Sequence, residues 1–317
     1  MTRQRISRRD LLAAGGAVTG FTVLPSRVLG RGPGTAPNDK VNIGYIGIGG
    51  MYGARAFQEL TAHNVVALCE VDWRELPNRP SVALQMVAKY PSAKRFDDWR
   101  VMLHEMDKKM DAVVVCTADH VHAHPSIAAM KMGKHVFCEK PLAHSVGEVR
   151  AMMAAERKYK VSTQMGIQGH ASDDVRNMVE WIRDGAIGTV KEVHVFEGAR
   201  RPAPAGSAPA GRAPSGRAQG GGGRGPYDNI QRVNEQIPVP PEVKWDLWLG
   251  PAAVRPYNPM YLQGAWRSWL DFGTGALGDH GSHFMDVPCW ALDLGFPETI
   301  EADTDPEYDP AQNHQTW

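Results

Sequence analysis

Four cysteines are scattered through 317 residues. With no C-x-x-C spacing among them, a disulfide framework is excluded. Cys69, Cys116 and Cys138 each sit in an apolar, strand-like run and read as buried thiols, while Cys289 stands apart. Neither sign of charge dominates, since Lys plus Arg and Asp plus Glu both number 35. That balance excludes a nucleic-acid-binding surface and a polybasic membrane patch, and favours a small polar or neutral partner. No apolar run reaches the roughly 20 residues that a bilayer-spanning helix needs, so no stable membrane anchor is expected. What remains is 43% apolar and 22% charged, a soluble globular composition long enough for two domains.

The first residues differ from the rest. Arg8 and Arg9 precede a short apolar run from Leu11 to Leu24, an arrangement similar to a twin-arginine export signal. Residues 1–37 are therefore expected to be a signal and linker that engage the twin-arginine machinery and carry the folded protein to the periplasm or another extracytoplasmic space. Such export suits a protein that loads a cofactor before crossing.

From Val41 the pattern alternates between strand and helix. "VNIGYIGIGG" reads as a buried strand entering a glycine turn, "MYGARAFQELTA" as the helix after it, and "NVVALCEVD" as the second strand. Helices around Met86 and across "DDWRVMLHEM", the apolar run "DAVVVCT", a helix stopped by Gly133 and the strand "KHVFCEKP" follow. A capping box of Ser145 and Glu148 opens the last helix of the unit. Alternation of this kind predicts an α/β domain with a doubly wound parallel sheet over residues 38–160.

A second unit, 161–317, is predicted to be an α+β open-sheet domain. It offers a helix with Val175, Met178, Val179 and Ile182 on one face, and "TVKEVHVFEG" as a strand. Residues 198–226 are Gly, Ala, Pro and Arg without apolar anchors and read as a disordered insert. Trp-rich stretches then resemble a core or a ligand wall. Only one strand of this domain is evident before Trp317, so the sequence is expected to be cut short.

Three features carry chemistry. "GIGGMYG" follows a strand and opens a helix, where backbone amides can approach a pyrophosphate. Gly47 and Gly49 fit the dinucleotide spacing, but Tyr52 holds the third glycine position and Gly53 comes one residue late. Glu70 ends the second strand, with Asp72 just beyond, where a carboxylate accepts from ribose hydroxyls and repels a ribose phosphate. NAD is thereby favoured over NADP. "CTADHVHAHP" and "FCEKP" lie at the carboxyl ends of their strands, the edge at which open parallel sheets bind ligands. The alternating His120, His122 and His124 read as cofactor contact or solvated loop, since no Cys or carboxylate cluster completes a metal set. Asp279 and His283, four apart, share a face if the segment "GTGALGDHGSHFMD" is helical, and such a pair can hold a proton or simply cap a helix.

The order "GIGG", "CTADHVHA", "HVFCEKPL", "MGIQGH" and "GALGDHGSHFMD" resembles the glucose-fructose oxidoreductase and inositol dehydrogenase family, Gfo/Idh/MocA. The resemblance implies an NAD(P)-binding Rossmann domain, a second domain facing a sugar, polyol or related alcohol, and hydride transfer between that alcohol and the nicotinamide. It maps catalytic roles to Lys140, Asp279 and His283. Cofactor contacts are expected at Gly47, Gly49, Gly50, Met51, Glu70, Thr117, Asp119, His122, Glu139 and Lys140, with no metal. Export implies a tightly bound cofactor, and many relatives point to a homo-oligomer for a full-length form. A glycosidase that cycles NAD transiently, and a non-catalytic dinucleotide-binding protein, are the alternatives.

Overall fold

Six parallel strands form one sheet in the order β3-β2-β1-β4-β5-β6 in the computed structural model, which describes residues 39–50, 62–75, 80–195, 237–262, 265–275 and 277–301. The expected export signal, the helix across "MYGARAFQELTA" with Met51, and the Gly/Pro/Arg insert lie outside these residues.

The strands are β1 Asn42–Ile46, β2 Asn64–Cys69, β3 Lys94–Phe96, β4 Ala112–Val115, β5 His135–Glu139 and β6 Thr163–Gly166. Runs such as "AVVV" form strands because a parallel sheet covered on both faces takes apolar side chains at every position. Alternation then sorts them: Val113 and Val115 enter one core while Val114 enters the other. The first core includes Met102, Met130 and Met152, from α2 Trp99–Glu105, α3 Ala123–Lys131 and α4 Val146–Tyr159. The second joins Tyr45 and Leu68 to Met86 of α1 Val82–Lys89. Each such buried side chain contributes about 1.5–3 kcal/mol. Ser145 and Glu148 form the predicted capping box at α4, worth about 1 kcal/mol.

Two expectations are corrected. The sheet does not stop at residue 160, because β6 pairs in parallel with β5 from Thr163 to Gly166 and completes the first unit. Residues 189–195, expected as a strand of the second unit, pair with no strand among the described residues, and Val193 and Val195 are exposed. Alternating character makes a strand only where a neighbour satisfies its backbone.

The helix expected after β6 forms as α5 Asp173–Arg183, although Val179 is its one buried residue while Met178 and Trp181 are exposed. The Trp-rich stretch forms a third core of Trp245, Tyr257, Tyr261, Trp269 and Phe272 around α6 Trp245–Leu249. Trp245 and Trp248 stack at 4.9 Å, and Phe272 meets Trp248 edge-on at 4.7 Å. The backbone ties this core to the end of β2, where Lys244 N–H donates to the Val71 carbonyl at 2.8 Å.

Candidate active site

Strand order reverses between β1 and β4, and a cleft of about 250 Å³ opens beyond the carboxyl ends of the strands. Ligands of open parallel sheets bind at such a switch point. Gly47, Gly49 and Gly50 form its floor after β1, and Glu70 follows β2. Thr117, Asp119 and His122 line it after β4, and Glu139 and Lys140 end β5. Every described residue predicted to contact the cofactor thus borders one cleft.

Gly47 takes φ +81, and a Cβ there would stand 2.7 Å from the backbone of Cys116 and Thr117. Only glycine permits this approach of the turn to β4. The floor it leaves is bare of side chains, and a Cβ at Gly50 would meet nothing within 4 Å. That open, glycine-floored cradle at a switch point fits the pyrophosphate of a dinucleotide.

Glu70 is placed differently from a freely offered ribose acceptor. Its carboxylate accepts from the amides of Gly49 at 2.6 Å, Val71 at 2.7 Å and Asp72 at 3.1 Å. Burial pushes the carboxyl above its usual range, against the three amides that favour the anion. Asp72 in turn grips Arg74 with both oxygens, at 2.7 and 2.6 Å, and Arg74 reaches the Tyr257 hydroxyl at 3.1 Å. Sequence reasoning placed the acids but not this arginine, which also lines the cleft.

The loops after β4 and β5 are stitched to the segment that follows α6. Asp119 accepts from the Thr274 hydroxyl at 2.7 Å and from its amide at 3.2 Å. His120 Nε2 lies 3.1 Å from the Trp248 carbonyl, and His144 Nε2 lies 2.9 Å from that of Leu270. The three alternating histidines have separate partners, as His124 faces Glu148 at 4.0 Å. His122 is held between two carbonyls and lines the wall as a clamp. Glu139 accepts from Gln168 at 3.1 Å, and a Cβ at Gly166 would strike its carboxyl at 2.8 Å.

Lys140 is 4% exposed. Its Nζ donates to the Asp279 carboxylate and, at 2.7 Å, to the Asp279 carbonyl, a contact between residues 139 positions apart. Asp279 stands on a π-helical turn, Leu277–Gly281, followed by α7 Ser282–Phe284 with His283 and by α8 Asp286–Ala291. The segment is helical, which meets the condition for Asp279 and His283 to lie near one another, and its wide turn is of the kind that often marks functional sites. Asp279 also meets Arg267 at 3.3 Å and His280 at 3.7 Å, two residues that sequence reasoning missed. Burial works to raise the Asp279 carboxyl, but the Lys140 hydrogen bond and the charges of Arg267, Lys140 and His280 hold it below its usual range. His283 is half-buried. Burial, then the Lys140 charge, lowers its pKa below the ordinary imidazole value, so it is neutral at pH 7.

Two family models match this chain: "Oxidoreductase family, NAD-binding Rossmann fold" over residues 41–167, and "Oxidoreductase family, C-terminal alpha/beta domain" over 228–317. The chain belongs to the Gfo/Idh/MocA oxidoreductase family. In this Gfo/Idh/MocA protein the glycine floor of the cleft lies within the NAD-binding Rossmann domain, whose matched range includes β6, while Trp248, Trp266 and Arg267 line the cleft from beyond that range. Among curated relatives, the uncharacterized oxidoreductase YrbE of Bacillus subtilis is 35% identical over 92 residues, 29% of this chain and 26% of its own. Levoglucosan dehydrogenase of Pseudarthrobacter phenanthrenivorans is 30% identical over 111 residues, 35% of this chain and 28% of its own. Inositol 2-dehydrogenase of Salmonella paratyphi B is 30% identical over 156 residues, 48% of this chain and 44% of its own. The matches span less than half the length of each of these relatives.

Proposed function

We propose that this protein is an NAD-dependent oxidoreductase that moves a hydride between a CH–OH group of a sugar or polyol and the nicotinamide. The observation that carries the reading is the meeting of Lys140, from the edge of the Rossmann sheet, with Asp279, one turn before His283. The names of the levoglucosan and inositol dehydrogenases support the substrate class.

Gly47, Gly49 and Gly50 would hold the pyrophosphate, and the end of β2 would face the adenosine ribose. NAD, when bound, supplies the hydride acceptor. The chain's own residues do the rest. His283, neutral and without a hydrogen-bond partner among the described residues, takes the hydroxyl proton. The Lys140 ammonium faces the oxygen on which negative charge develops. Asp279 orients that ammonium through its carboxylate and its carbonyl. Arg267 and His280 keep Asp279 ionised for the task.

The same reading includes export through the twin-arginine machinery to an extracytoplasmic space, supported by Arg8 and Arg9 ahead of the Leu11 to Leu24 run. It also includes a cofactor that stays bound through export, and assembly into a homo-oligomer. The test is NADH formation by the purified protein with myo-inositol, levoglucosan or free hexoses. His283→Ala should abolish turnover, a loss of about 10²–10⁴-fold, while NAD affinity stays near normal. Surviving turnover in that variant would remove His283 as the base.

A further inference from the structure

No step above uses His122, yet its side chain is among the most buried polar groups described, at 1% exposure. Its ring nitrogens face two main-chain carbonyls. Nδ1 lies 2.7 Å from the oxygen of Pro141, and Nε2 lies 3.0 Å from the oxygen of Thr117. A carbonyl oxygen only accepts, so both nitrogens must donate, and an imidazole with two N–H groups is a cation. Either neutral tautomer would set a ring lone pair against a carbonyl lone pair, with no room for water to intervene. Thr117 directly follows β4 and its flanking Cys116, and Pro141 directly follows Lys140. The ring therefore bridges the two loops that leave the sheet at the cleft. Its own backbone is fixed as well, since the His122 carbonyl accepts from Ser126 Oγ at 2.7 Å.

We propose that His122 is a positioning residue, held as an imidazolium, that pins the loop after β5 to the loop after β4 and so sets the place of the Lys140 ammonium in the cleft. The role given to Lys140 rests on the proposed function; the charge state of the ring does not. The groups facing the ring come from several elements. Asp119, in the same loop, and Glu139, at the end of β5, both interact favourably with a positive His122. Cys138 of β5 lies beside it. His120, in the same loop, has its own pKa lowered to about 4, chiefly by burial, so it stays neutral and does not repel the cation. Burial opposes charge on His122, but Cys138, Asp119 and the Pro141 carbonyl outweigh it, and the pKa is raised to about 9. A raised imidazole pKa gives the clamp full strength below the ordinary value near 6.5 and loosens it as pH rises through about 9.

Histidine-selective 15N labelling with through-backbone assignment tests the charge state on the wild-type protein. The expected spectrum has two protonated ring nitrogens on His122 through neutral pH, one proton leaving only near pH 9. A ring nitrogen without a proton at pH 7 would overturn the proposal. The positioning role is read in His122→Gln, whose neutral amide cannot serve both carbonyls from one charged ring. In that variant kcat at saturating NAD should fall tenfold or more, and an unchanged kcat would also overturn the proposal. If the wild type transfers no hydride, the proposed function fails, and the nitrogen spectrum still decides the clamp. The same spectrum decides it if the variant does not fold.

Discussion

Glu70 lines the cleft, Asp279 grips Lys140 and Arg267, which line it, and the two acids are held in opposite ways. Three backbone amides surround Glu70, and burial raises its pKa. A lysine and an arginine, with a histidine near, surround Asp279, and its pKa is lowered. A carboxylate tied to main-chain N–H groups is part of the scaffold: it fixes the glycine turn against β2 and has no mobile cation to release. A carboxylate tied to side-chain cations sets where those cations stand. In the proposed function the first would shape the bed of the cofactor, and the second would arrange the groups that move a proton. If that division is right, damage at Glu70 should appear in cofactor binding and damage around Asp279 in turnover.

The largest expected effect lies on the Asp279 side. Lys140→Met keeps the length and apolar stem of the side chain but removes the ammonium, and should lower turnover by about 10³-fold. NAD affinity, followed by fluorescence titration, should fall far less than turnover, since the ammonium is bonded to Asp279. A loss of NAD affinity as large as the loss of turnover would break the comparison.

A smaller effect is expected from Glu70→Gln. The amide nitrogen cannot accept, so at least one of the three backbone donors loses its partner in a buried site, at a cost of about 1–3 kcal/mol. The melting temperature should fall and NAD should bind about tenfold more weakly, equivalent to about 1.4 kcal/mol. At saturating NAD, kcat should match the wild type. A collapse of kcat with NAD saturating would make Glu70 more than scaffold.

The two acids also differ in how far they could be foreseen from sequence. Strands β1, β2, β4 and β5 are continuous apolar runs, and the capping box of α4 is local, so the sheet and its binding edge were legible. The meeting of Lys140 with Asp279 was legible through their motifs. What escaped was whatever depends on a partner far along the chain. β3 is three residues, "KRF", and becomes a strand only by lying beside β2. Residues 189–195 alternate like a strand and find no neighbour among the described residues. The amides that hold Glu70 and the carbonyls that hold His122 belong to the main chain, which every residue carries, so no residue type announces them. Arg267 and His280 stand beside Asp279 only because the third core folds the segment back onto the loops after β4 and β5.

The smallest expected effect tests whether the cations around Asp279 act on His283 as the geometry requires. Its pKa is lowered first by burial and next by the Lys140 charge, with His280 adding to the depression and Asp279 and Asp286 opposing it. A base must be neutral to accept a proton, so the acid limb of kcat/KM should fall below the ordinary imidazole value near 6.5 rather than at it. Lys140→Met removes one of the charges that depress the imidazole, and its titration should then move up. Because that variant hardly turns over, the shift is read from the ring proton resonances of His283 and not from rate. Glu70→Gln should leave the titration where it was, as Glu70 is not among the charges that shift that imidazole. A shift in the Glu70 variant, or none in the Lys140 variant, would mean that the two acids share one electrostatic network and that scaffold and chemistry are not separated along this cleft.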